Sequence, residues 1–413
     1  MWQAEPKLGS SLAEVQTLGL ISADFMAASA GSDFELIEDD RAFAELVQRV
    51  SSEPCYAIDT EFHRERTYFP QVALVQIADS HGIALVDALQ VDLHPFSKVL
   101  EGDGLAVMHA ARQDMEVMER SCETIPRRLL DTQIAAGFLG YTSPSLSTLL
   151  ERELDVIAPK ADRLTDWLRR PLGDAQLTYA ASDVAHLLEL SAQLMGRIED
   201  RGRTAWVNAA CEELRTEDRG PRNPDDAWRR IKEVRHLRGA SLAIAQAVAA
   251  WRETKAIETD QTPRFVLSDL GVVGVAAAVP STVEEIRSLR GVEGRNLRSG
   301  MAEELLTVVH DSRSNTPTRA PVSHSPEMPS ELKPALPLVS AWVSQRAREL
   351  ELETSLLATR SDLEDLLRGV PDARLTLGWR AELVGEPIRR LVSGEATLAF
   401  DRKVGLLLEP RHP

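Results

Sequence analysis

The sequence predicts a mixed α/β sheet with helices on its faces, followed by two all-helical bundles. Three observations carry this prediction. Apolar runs at 56–59, 72–78 and 82–86 follow one another at short spacing and read as strands, and they pass into strand-helix alternation. From residue 225 onward the apolar positions recur only at helical spacing. Between these halves, and again over 312–337, Pro, Gly, Ser, Thr and charged residues break the pattern as linkers do. A chain of 413 residues is also too long for one ordinary core.

Taken in order, residues 1–33 show no period and are expected to form a mobile tail. A short edge strand is expected at 34–37, and Asp39 or Asp40 can cap a helix over 41–50. After the three core strands come a helix at 93–100, a strand at 105–109, a helix at 113–120, a strand at 128–131 and a helix at 132–139. A further helix is read at 145–154, then an irregular basic segment at 160–171, then one long helix from 174 to about 201. The expected division is thus a tail (1–33), an α/β domain (34–215), a linker (216–224), a helical domain (225–311), a Pro/Ser-rich linker (312–337) and a second helical domain (338–413). The segments 262–270 and 354–363 echo each other as a weak internal repeat.

Composition narrows the function classes. No apolar run approaches the length of a membrane span, and the start lacks a secretory or transit pattern, so a cytoplasmic location is expected. Three widely spaced cysteines, Cys55, Cys122 and Cys211, suit a reducing compartment and make neither a disulfide framework nor a zinc site. The net charge of −17 means that any nucleic acid must be met by local basic patches. Arginines do cluster, at 163–170 and at 229–238, and Arg suits bidentate phosphate contacts.

The chemistry centres on D-T-E-F at 59–62. On a strand, residues i and i+2 share a face, so Asp59 and Glu61 point the same way. Two carboxylates held that close raise each other's pKa unless a cation joins them, and hard oxygen ligands suit Mg²⁺ or Mn²⁺. Asp114 is expected in the first turn of a helix leaving the sheet, within H-A-A-R-Q-D at 109–114. Tyr179 and Asp183, in Y-A-A-S-D, stand at i and i+4 and look into one cleft.

These three motifs, in this order and spacing, resemble those of the DEDD exonuclease superfamily in its tyrosine-bearing branch. The neighbouring F-H-R-E-R-T-Y-F-P from Phe62, V-A-L-V-Q-I-A from Val72 and T-D-W-L-R-R-P-L from Thr165 are similar to the ribonuclease D family. The helical bundles resemble the HRDC domains that follow the nuclease there. The likeness spans residues 34–311 closely and 338–408 loosely.

The resemblance implies a ribonuclease H-like nuclease domain and a metal-dependent 3′–5′ exoribonuclease. Its expected substrates are single-stranded RNA 3′ tails, notably transfer-RNA precursors, degraded to nucleoside 5′-monophosphates. Asp59, Glu61, Asp114 and Asp183 match the metal-site acids, and Tyr179 the tyrosine that orients the attacking water. Two divalent ions about 4 Å apart suit this chemistry, with Asp59 as the natural bridge. Phe62 either stacks on the terminal base or closes the core. His109 and Gln113 are placed to reach the terminal ribose. Lys160, Arg163 and Arg170 are expected to contact phosphates. RNA binding by the bundles is likewise implied by the resemblance, and no obligate protein partner is inferred. A DNA 3′–5′ exonuclease and a non-catalytic RNA-binding scaffold are the alternatives; the full set of acids with Tyr179 argues against the scaffold.

Overall fold

The computed structural model describes residues 33–159, 165–292, 300–315, 317 and 328–411. The expected N-terminal tail lies outside these apart from Asp33, as do residues 316 and 318–327 of the second linker.

The first half builds one six-stranded sheet in the order β1-β4-β3-β2-β5-β6. Its strands are β1 (Phe34–Ile37), β2 (Cys55–His63), β3 (Gln71–Asp79), β4 (Gly82–Asp87), β5 (Leu105–Met108) and β6 (Leu129–Asp131). The meander β2-β3-β4 is antiparallel, whereas β1 joins β4, β5 joins β2 and β6 joins β5 in parallel. β2 lies at the centre and its alternating residues divide the core. Ala57, Leu74, Ala78 and Leu85 face one apolar layer, and Tyr56, Ile58, Val75 and Ile77 face the other.

Helices cover both faces. The second layer is closed by α1 (Asp40–Val50), whose N-terminus Asp39 caps through Arg41 and Ala42, by the short α2 (Ser97–Leu100) and by α3 (Arg112–Cys122). The first layer is covered by α4 (Thr132–Gly137), α5 (Leu146–Leu154), α6 (Asp174–Ala185), α7 (Leu187–Asp200) and α8 (Thr204–Arg215).

The single long helix expected over 174–201 is two helices. The chain leaves helical geometry at His186 (φ −113°, ψ 9°), so α6 lies across β2, β3 and β4 while α7 turns toward β5, α4 and α5. The apolar pattern runs unbroken through the bend, which is why periodicity alone reads one helix. The helix α8 is absent from the sequence reading.

The next helical region is organised by α9 (Gly239–Glu258), with Ile244, Ala245, Val248 and Ala249 fully buried. Around it pack 3₁₀ turns at Pro224–Arg230 and Lys232–His236, then α10 (Pro263–Val266), α11 (Asp269–Ala278), α12 (Val283–Ser288) and α13 (Met301–Ser312). The segment joining it to the sheet is tied down rather than free. Arg112 bonds Glu217 at 2.7 Å, and Arg219 donates to the carbonyls of Leu214 and Arg215.

The last region holds α14 (Ala335–Glu349), α15 (Thr354–Leu357), α16 (Arg360–Arg368), α17 (Gly378–Arg380) and α18 (Glu386–Val392). It is not purely helical, because it ends in an antiparallel hairpin, β7 (Ala396–Asp401) and β8 (Gly405–Pro410). Two short apolar runs flank D-R-K-V at 401–404, a strand-turn-strand signal that the helical reading overrode.

This region shares a core with the sheet-bearing half. Trp379 stacks on Trp206 of α8 at 4.9 Å between ring centroids and meets Phe138 edge-on at 5.6 Å. Arg203 donates to the carbonyls of Phe138 and Leu350, and Arg374 and Arg380 both pair with Glu213.

Candidate active site

The central strand β2 carries Asp59 and Glu61 on the face covered by α6, with Ile58 and Thr60 buried on the other. A register shift falls between Glu61 and Phe62, so the acids sit just before a bulge that re-aims the following residue. Asp114 arrives on the first turn of α3 and is buried. The Thr60 hydroxyl donates to its Oδ1 at 2.5 Å, and the Thr60 backbone N–H at 3.2 Å. Asp183 and Tyr179 come down together from α6, one turn apart.

Asp131 at the end of β6 braces this arrangement. Its carboxylate accepts from the backbone N–H groups of Ala110, Ala111, Gln133 and Ile134. That holds the tight turn at Ala110 (φ 57°) which leads from β5 into α3 and so sets where Asp114 stands. Thr60 and Asp131 are absent from the sequence reading, because each acts through a partner distant in the chain.

Electrostatics tie the four acids together. Burial pushes Asp59 well above the usual carboxylate range, and the charges of Asp114, Asp183 and Glu61 push it further. Burial, then Asp183 and Asp114, raise Glu61 to about 8. Burial raises Asp183 to about 7, partly offset by a hydrogen bond from Tyr179. Burial also raises Asp114 to about 6, against the opposing Thr60 hydrogen bond. Among the described residues no cationic side chain offsets any of these rises. Tyr179 is itself pushed up by burial and by Asp183, Glu61 and Asp59, so its hydroxyl stays protonated.

These residues fit a divalent cation in their chemistry. The donors are hard carboxylate oxygens, and Oδ2 of Asp183 is buried without a hydrogen-bond partner. Among the described residues, no group of three or more candidate ligands is gathered around a single point.

The remaining predicted contacts differ in fate. Phe62 is half-buried and belongs to none of the three hydrophobic cores. His109 is half-buried, with Nδ1 at 3.0 Å from Thr132 Oγ1, and burial lowers its pKa. Gln113 is exposed and lines a cleft of about 550 Å³ with Arg64, Tyr68 and Glu253. Lys160 and Arg163 lie outside the described residues.

Arg170 requires a correction. Its guanidinium is turned inward onto the buried Asp87 in a bidentate pair of 2.5 and 2.6 Å, with further bonds to the Ala73 and Trp167 carbonyls. It has no free donor edge for phosphate. It bolts the segment before α6 to the sheet and holds Trp167 beside Tyr179, with 6.3 Å between ring centroids.

The basic run at 229–238 is partly consumed as well. Arg229 pairs with Asp226, and Arg230 with Glu253, which is 1% exposed. Tyr68 donates to the same Glu253 at 2.8 Å, and the Phe69 N–H to Asp260 at 3.0 Å. The loop that follows β2 is thereby fastened to α9 and its C-terminal turn.

Comparison with known proteins agrees with this architecture. A 3′–5′ exonuclease family matches residues 34–199, and the HRDC domain family matches 241–309. Ribonuclease D of Jannaschia sp. (strain CCS1) is 35% identical over 360 residues, 85% of this chain and 93% of the relative. The chain belongs to the ribonuclease D family. Ribonuclease D of Escherichia coli (strain K12) is 33% identical over 378 residues, 87% of this chain and 98% of that one. The crystal structure of Escherichia coli RNase D, an exoribonuclease involved in structured RNA processing, superposes with a TM-score of 0.76 at 30% identity, covering 88% of this chain and 99% of that one.

As a ribonuclease D, the protein is a 3′–5′ exoribonuclease, a hydrolase whose exonuclease family implies dependence on divalent metal. The ribonuclease half and the HRDC region point to RNA as the bound polymer. No helix among the described residues is long and apolar enough to cross a membrane.

Proposed function

We propose that this ribonuclease D trims single-stranded RNA 3′ tails to nucleoside 5′-monophosphates in the cytoplasm, transfer-RNA precursors among them, using two ions of Mg²⁺ or Mn²⁺. The observation that carries the reading is the approach of Asp59, Glu61, Asp114 and Asp183 from three separate elements, close enough for Asp114 to raise the other three, with no offsetting cation among the described residues. Those four carboxylates would hold the metal. The chemistry supplied by such ions is ionisation of a water and stabilisation of the departing 3′ oxygen.

The other residues position the substrate. Tyr179, kept protonated beside three acids, acts as a donor that fixes the water's line of approach and not as a base. Phe62, half-buried and outside every core, is free to stack on the terminal base, which favours the stacking role over core closure. His109 and Gln113 border the same end of the sheet and reach for the ribose, whose 2′-hydroxyl distinguishes RNA from DNA. The same reading keeps residues 34–215 as the catalytic unit and gives the two helical regions a part in RNA affinity. Lys232 and Arg235, both exposed, are the members of the basic run best placed for phosphate.

The test is degradation of 5′-end-labelled single-stranded RNA and DNA of one sequence, with Mg²⁺, Mn²⁺ or EDTA. A ladder shortening from the 3′ end, release of 5′-monophosphates and preference for RNA are expected. Undiminished activity in EDTA would remove the metal assignment, and equal rates on DNA would remove the ribose contacts.

A further inference from the structure

Gln76 is the most fully buried uncharged polar side chain near the acids, at 0% exposure, and neither its amide nitrogen nor its carbonyl oxygen has a hydrogen-bond partner. It sits in the middle of β3, directly opposite Asp59 on β2 and Leu85 on β4. Directly paired residues of an antiparallel ladder point to the same face with their Cβ atoms about 5 Å apart. Gln76 therefore shares the face of Asp59 and Glu61. Its other neighbours on that face are Leu74, Ala78 and Leu85, all apolar and buried, and diagonally Asp87, both of whose oxygens are taken by Arg170. From above, α6 brings Leu177, Ala180, Ala181 and Val184, and of its polar residues Tyr179 and Asp183 reach the acids, Tyr179 donating to Asp183.

A buried amide without partners is uncommon in a folded protein and calls for a physical reason. The leucine and alanine neighbours offer it nothing, so the polar group within reach across the ladder is the Asp59 carboxylate. We infer that Gln76 is a positioning residue: its side-chain N–H donates to one oxygen of Asp59, fixing the carboxylate's rotation and leaving its other oxygen open to a cation. The inference rests on the metal-site reading above. Partners of this kind, one shell behind the ligands, set ligand orientation and typically govern metal affinity by about 10- to 100-fold.

The experiment compares the full-length protein with Gln76→Leu by calorimetric titration of Mn²⁺, thermal melting in EDTA, and steady-state kinetics on a short single-stranded RNA. The expected result is Mn²⁺ affinity about 10-fold weaker or more, kcat lowered with KM for RNA unchanged, and a melting temperature in EDTA equal to or above that of the parent. Gln76→Met, unbranched and similar in length, should give the same pattern. Mn²⁺ affinity within twofold of the parent in either folded variant overturns the inference, and so does failure of both to fold, since the amide would then serve the fold and not Asp59. Absence of Mn²⁺ binding by the parent protein would instead overturn the metal site itself.

Discussion

Thr60 and Asp114 are joined twice, by hydroxyl and by backbone N–H, so the strand that presents two acids also grips the third. Thr60→Val keeps the shape and the backbone bond and removes the hydroxyl. A hydrogen bond to a charged group contributes about 1.5–3 kcal/mol, so kcat/KM should fall by about 10- to 100-fold. Because that bond opposes the rise of Asp114, already about 6, its loss moves the acid limb of the pH-rate profile upward. A profile unchanged in both height and position would show that α3 places Asp114 unaided.

Asp59→Asn and Asp183→Asn should each lower turnover by about 10³-fold or more, since each removes ligand charge from chemistry that depends on several kcal/mol of ionic stabilisation. The fold should persist, and melting in EDTA should rise because one repelling carboxylate is gone. Turnover near the parent value at saturating Mg²⁺ would remove that residue from the site.

Stability without metal should depend on pH in a specific direction. Glu61 and Asp183 titrate at about 8 and 7 in the folded protein, against 4.5 and 3.8 ordinarily. Between about pH 4 and pH 8 the folded state therefore holds more protons than the unfolded chain, and stability falls as pH rises through that window. Melting temperatures in EDTA should decline from pH 5 to pH 8, and added Mg²⁺ should raise them more at pH 8 than at pH 6. An equal rise at both values would mean that ion binding does not require these acids to lose their protons.

Arg170→Ala should act on the fold and not on RNA affinity. Breaking a buried ion pair by removing one partner costs about 3–5 kcal/mol, here by leaving Asp87, with its side chain 3% exposed, alone against the sheet. Urea unfolding measures the loss. The salt dependence of RNA binding should keep its slope, whereas a flatter slope would return Arg170 to the phosphate contacts.

Trp379→Ala should destabilise the nuclease as well as the C-terminal region, by about 3–5 kcal/mol for a large aromatic removed from a core. Its ring covers Trp206 and Phe138, so near-ultraviolet circular dichroism should report loss of order in both. A variant with an unperturbed nuclease transition would make the two regions independent units.

The candidate catalytic residues are legible in the sequence because their spacing is local. Asp59 and Glu61 need only a strand, and Tyr179 and Asp183 only one turn of helix. What holds them is not legible, since each brace depends on a distant partner. Thr60 looks like strand filler until α3 delivers Asp114 from 54 positions later. Arg170 looks like a surface cation until Asp87, 83 positions earlier, takes it. The bend at His186 is set by the two surfaces that α6 and α7 must cover, and an apolar pattern that suits both gives no sign of it.

The shared core of Phe138, Trp206 and Trp379 also orders events during synthesis. At roughly 5–20 residues per second, Trp379 leaves the ribosome roughly ten to thirty seconds after Trp206. Through that interval Trp206 of α8 has only Phe138 against it, and the nascent nuclease lacks the last ring of this core. Full rigidity of an enzyme that destroys RNA thus waits on a segment made well after its candidate catalytic residues.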